Sequence, residues 1–172
     1  MKRLSAKKIA TCGILSALAL ISFVLESLLP PLFVPGARLG VSNVFILICL
    51  IVLGGPYAFF ALTVKTVIGS LITGNVSSIL YSLPAGLISL SVELLLLKKC
   101  RFFSVLAVST VGATINNLIQ NVIFCLIAGV WEFMGYAPYL LLLGLIAGLF
   151  VGFIVYLTVR ILPDSVYEKI NQ

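Results

Sequence analysis

The sharpest chemical feature of this sequence is a lysine in the middle of an apolar run. Lys65 sits in YAFFALTVKTVIGSLIT with eight uncharged residues on either side. A cationic side chain at the centre of a membrane helix costs at least about 2.5–3.5 kcal/mol. A residue kept at that cost meets an anion, either a ligand's or an internal acid's, and an inward-facing functional lysine is the reading we favour over snorkelling. The second feature is ATINNLIQN, which carries Asn116, Asn117, Gln120 and Asn121. Spacings of three and four put these amides on one side of a helix, together with Ala113. Carboxamides in mid-membrane are costly against lipid, so they are expected to face the protein interior. There they act as interhelical hydrogen-bond partners or as the polar lining of a site. Ser78, Tyr81, Ser82 and Pro84 mark a third stretch. Pro84 has no N–H to give the Leu80 carbonyl, which leaves an acceptor free. Tyr81 suits either stacking on an aromatic ligand or an interfacial belt. Lastly, the glycines of PGARLGVSN (35–43) allow close backbone approach. Arg38 in that loop can capture an anion or pair with Glu26.

Equally informative is the chemistry that the residue types exclude. The sequence has no histidine, and Cys12, Cys49, Cys100 and Cys125 are scattered. No metal site, no disulfide and no cofactor are expected. There is no Walker A loop, no DDxxD-type acidic cluster for Mg²⁺-diphosphate chemistry and no Ser/His or Cys/His arrangement. With five acids in all, neither autonomous catalysis nor self-powered pumping is expected. Binding is what remains.

The elements that must position these residues are membrane spans. Of 172 residues, 62% are hydrophobic and 9% charged, too little charge to keep a soluble domain in water. Apolar runs of about 20 residues cross a bilayer. They are read at about 9–29, 39–53, 57–73, 78–97, 103–130 and 139–162, with turn signals at Pro30-Pro31, GGP (54–56), Gly74-Asn75 and Lys98-Lys99. The expected fold is an all-α, six-helix membrane bundle forming a single domain. Lys2, Arg3, Lys7, Lys8, Lys98, Lys99, Arg101, Arg160 and Lys169 are nine of the eleven basic residues. All nine fall on one side if both termini are cytoplasmic, which sets the orientation. Their clustering between apolar runs explains the net charge of +6 by the bilayer and argues against nucleic acid. Near the cytoplasmic end of the fourth span, Glu93 is expected to pair with Lys98 and Lys99.

Two stripes of small residues let helix backbones approach closely. Ala6, Ala10, Gly13 and Ala17 recur on the first span, and Gly144, Gly148 and Gly152 form a double GxxxG on the last. Each is internal packing or a docking face for another membrane subunit.

ESLLPPLFVPGARLGVSN (26–43), GNVSSILYSLPAGLISL (74–90) and VGATINNLIQNVIF (111–124) resemble the Gx transporter family. Its members are often labelled heptaprenyl diphosphate synthase component I. The resemblance runs over roughly residues 8–160. Lys65 stands where a basic residue is usual, and Asn116-Asn117 where members often have His-Asn. The family is similar in size and helix count to the substrate-binding (S) components of energy-coupling factor transporters. That implies a subunit of a bacterial-type plasma membrane that captures a small vitamin or cofactor precursor at its outer face. Its partners would be a transmembrane T subunit and two ATPases. The implied ligand residues are Arg38, Asn43, Lys65, Asn75, Tyr81, Ser82, Asn116, Asn117, Gln120 and Asn121. The implied T-subunit contacts are Ala6, Ala10, Gly13 and Ala17. The synthase label implies instead an accessory subunit of polyprenyl diphosphate synthesis.

Overall fold

The computed structural model describes residues 6–28, 40–99 and 103–161. Arg38 lies outside them. The described residues form helices and turns, with no strand among them. Helix α1 is Ala6–Ser27, α2 Ser42–Leu53, α3 Gly55–Ile72, α4 Ser78–Lys99, α5 Val105–Ala128 and α6 Ala137–Ile161, with a 3₁₀ segment at Trp131–Tyr136 before α6. Five of the six helices are long and apolar enough to cross a bilayer. The protein is thus a multi-pass membrane bundle, and cytoplasmic and outer ends are named below by the distribution of basic residues.

The second span, already short in the sequence at 39–53, begins later still, at Ser42. With 12 residues, α2 is about 18 Å long and falls short of the roughly 30 Å hydrocarbon core. It is apolar all round because it is enclosed all round, as a helix in the middle of a bundle must be. Val44, Ile46, Leu47, Cys49 and Leu50 are all buried, and they form the core with Ala19, Ala58, Ala61 and Leu62. Gly54 alone joins α2 to α3, at φ 94° and ψ 174°, a conformation that favours glycine. Pro56 in the first turn of α3 loses nothing, since its missing N–H would have had no intrahelical partner.

Local signals set the other ends. Ser104 caps α5, its hydroxyl accepting from the Ala107 N–H at 3.2 Å, as an N-cap serine should. Gly129 ends α5 in the left-handed region at φ 70°. Helix α4 runs on through Pro84 without a break in its assignment.

The glycine stripe of α6 is internal packing. A Cβ added at Gly148 would lie 2.5 Å from the Thr110 Cα, and at Gly144 2.7 Å from the Thr114 Cα. Backbone therefore meets backbone along the α5–α6 seam, which only glycine permits. The stripe of α1 behaves oppositely. Ala6, Ala10, Gly13 and Ala17 are all exposed, and a Cβ on Gly13 would meet nothing within 4 Å. The buried face of α1 is Cys12, Ser16, Ala19 and Phe23.

Candidate functional site

Lys65 is placed by the α2–α3 hairpin. Asn43 and Lys65 each lie eleven residues from Gly54. An antiparallel pair hinged there carries both at one height, about 16 Å from the hinge. Accordingly, the Lys65 Nζ donates to Asn43 Oδ1 at 2.7 Å and to Ser42 Oγ at 3.2 Å. The residue is 5% exposed, and its ammonium also lies 5.9 Å from the centre of the Phe23 ring, within cation–π range.

The start of α2 is held by an acid from another helix. Glu26 Oε1 accepts from the Val41 N–H at 2.5 Å, and Glu26 Oε2 accepts from the Ser42 hydroxyl at 3.5 Å. Val41, at the N-cap position of α2, has no side-chain cap of its own. The carboxylate therefore takes up amide hydrogen at the positive end of the helix dipole. Ser42 links the two charges, giving its proton to Glu26 and its lone pair to Lys65. The expected partner of Glu26, Arg38, is outside the described residues; the α2 terminus is the contact seen.

Beside this network the helices enclose a cavity of about 80 Å³. Its outer part is lined by Phe23, Glu26, Gly40, Ser82 and Gln120; its middle by Ser42, Asn43, Lys65, Thr66, Asn116 and Asn117; its inner part by Ser89, Glu93, Ser109 and the apolar Leu62, Leu90 and Val151. A polar and partly charged lining within an apolar bundle is the arrangement that fixes a small ligand's orientation. Of the amides, Asn116 faces the cavity with no hydrogen-bond partner among the described residues. Asn117 is turned partly aside, its Nδ2 donating to the Leu140 carbonyl at 3.3 Å.

Three expected ligand residues stand apart from the lining. Asn121 is buried and its Nδ2 donates to the Phe133 carbonyl at 3.2 Å and to Met134 Sδ at 3.6 Å. It ties α5 to the 3₁₀ segment, the interhelical bonding that an amide in a membrane bundle also serves. Tyr81 packs edge-on against Phe124 with ring centres 5.6 Å apart, and Phe124 in turn against Phe133 at 5.5 Å. Asn75 is exposed in the α3–α4 turn, where its backbone carbonyl accepts from the Ser78 hydroxyl at 2.7 Å.

One lining residue contradicts its sequence expectation. Glu93 faces the cavity, and its carboxylate lies so close to Gly112 that an added Cβ there would collide with it. It does not pair with the lysines at the helix end. The signal was present: Ser82, Gly86, Ser89 and Glu93 recur at four, three and four, one face of α4. Small and polar types on that face mark it as inward, and Glu93 continues it.

The sequence matches the family described as heptaprenyl diphosphate synthase component I over residues 15–158, a span that takes in every lining residue. No curated protein and no solved structure matches it. By that match, and by its polytopic helical build, the chain belongs to the heptaprenyl diphosphate synthase component I family.

Proposed function

We propose that this protein is the substrate-binding membrane subunit of an ATP-driven importer of the energy-coupling factor type, in a bacterial-type plasma membrane. The observation that carries the reading is the cavity itself, with a buried lysine held at its middle and an unpartnered carboxamide beside it. A lysine ammonium in that position offers an anionic group a charge-assisted bond in a low dielectric. Leu62, Leu90 and Val151 in the inner part suit a hydrophobic or aromatic body. The proposed ligand contacts are Asn43, Lys65, Ser82, Asn116, Asn117 and Gln120; Arg38, outside the described residues, is proposed from the sequence alone.

The exposed stripe of α1 supports the partner side of the same reading. Its small residues are exposed, so they take no part in packing among the described residues. Close backbone approach by a helix of a transmembrane T subunit, itself bound to two ATPases, is what such a face favours. Gly13→Leu and Ala17→Leu should therefore cut co-purification with the T subunit several-fold while leaving thermal stability near wild type. Unchanged association, or a fall in stability, would remove α1 as the docking face.

The family description supplies the second reading, an accessory subunit of polyprenyl diphosphate synthesis. Nothing in the residues favours it, since the sequence lacks an acidic cluster for Mg²⁺-diphosphate. Affinity purification from native membranes separates the two. A T subunit with ATPases supports import, and a soluble prenyl synthase supports the other.

A further inference from the structure

Among the described residues three charged side chains line the cavity, Glu26, Lys65 and Glu93. The first two are engaged by protein: Glu26 caps α2 and Lys65 bonds to Asn43 and Ser42. Glu93 is different. No hydrogen bond or ion pair joins it to any described residue. Were Glu93 there only to neutralise Lys65, the two would pair, but the lysine reaches the other way. Glu93 is partly buried and its side chain lines the cavity, and an acid without a protein partner inside an apolar bundle is costly. A carboxyl group kept in that state is accounted for if its partner arrives with the ligand.

The distance between the two groups follows from helix register. Ser70 meets Ser78 through their hydroxyls at 2.9 Å, and Leu62 packs on Gly86. By the same pairing Lys65 stands level with Leu83 on α4. Ser89, six residues further in, donates to the Gly112 carbonyl at 2.7 Å, and Gly112 is where the Glu93 carboxylate lies. Six residues of helix are roughly 9 Å. The lining away from Lys65 includes Leu62, Leu90 and Val151 along with the hydroxyls of Ser89 and Ser109.

We infer that the cavity selects an amphoteric small molecule, its anionic group bound at Lys65 and Asn116 and a protonated or N–H-bearing nitrogen bound at Glu93. This rests on the cavity being the ligand site of the proposed function. It narrows the substrate class: a purely anionic lipid precursor would leave Glu93 facing apolar atoms, whereas a molecule with a nitrogen donor satisfies both ends.

The test measures thermal unfolding of the purified full-length protein with six probes. They are 4-aminobutyrate, 6-aminohexanoate and 8-aminooctanoate, each against butyrate, hexanoate or octanoate at the same concentration. At least one amino acid should raise the midpoint by about 2–4 °C more than its alkanoate, the shift of a modest added binding energy in a chain of this size. Glu93→Gln should abolish that difference and keep the response to the alkanoate. Equal shifts from amino acid and alkanoate at all three lengths, or a full preference surviving in Glu93→Gln, would overturn the inference and leave Lys65 as an anion site. No shift from any of the six would sink both. The wild-type panel decides even if the glutamine variant does not fold.

Discussion

Lys65→Met should weaken ligand binding by about ten- to a hundredfold. A charge-assisted hydrogen bond to a ligand is worth about 1.5–3 kcal/mol, and each 1.4 kcal/mol is a factor of ten in affinity. Methionine keeps the length of the side chain and removes the charge and the donors. The same change also strands two protein acceptors, Asn43 Oδ1 and Ser42 Oγ, so some loss of stability accompanies it. Asn116→Leu separates the two effects. Asn116 has no partner among the described residues, so its removal breaks no internal bond there, and affinity should fall with the melting temperature unchanged. Isothermal titration of the two variants with the molecule that the wild type retains would check both. Wild-type affinity in both variants would show that this polar surface is not the site.

The largest effect on folding is expected at Gly148→Leu. An added Cβ would sit 2.5 Å from the Thr110 Cα and 2.9 Å from the Ser109 carbonyl oxygen, and neither backbone atom can turn away. Helices α5 and α6 would have to separate along a seam that also includes Gly144 and Gly152. Overpacking a tight core costs typically about 1–3 kcal/mol and sometimes more, enough to take a marginally stable bundle below its threshold. The expected outcome is a large drop in monodisperse protein after detergent extraction. Gly13→Leu, where a new Cβ meets nothing within 4 Å, should show no such drop. Similar yields for the two variants would contradict the assignment of one glycine stripe to the interior and the other to the surface.

The sequence made much of this legible because the bilayer imposes simple rules. Apolar length placed the five long helices within a few residues, and the cost of a buried charge singled out Lys65. The three- and four-residue spacing of Asn116, Asn117 and Gln120 marks one inward face, and all three line the cavity. What escaped has physical reasons. The twelve residues of α2 are as hydrophobic as a true span, and only the position of Ser42 beside Lys65 marks where the helix begins. Asn121 shares the amide stripe, yet its outer position on α5 puts it in reach of the Phe133 carbonyl, and sequence spacing cannot tell a ligand contact from a loop anchor. Glu93 was assigned to the lysines five and six positions later because they are near in sequence. On a helix those positions lie on other faces, and the inward run from Ser82 was the better guide. The two small-residue stripes look alike in sequence; only the partner helix distinguishes them.

If the cavity around Lys65 holds a small molecule, native mass spectrometry of the protein gently released from its own membrane will detect it. A bound species of low mass is expected on the wild type, one that carries an anionic group and is lost or much reduced in Lys65→Met and Asn116→Leu. A wild-type protein that stays folded, binds no small molecule when incubated with a metabolite extract and behaves like both variants would contradict it.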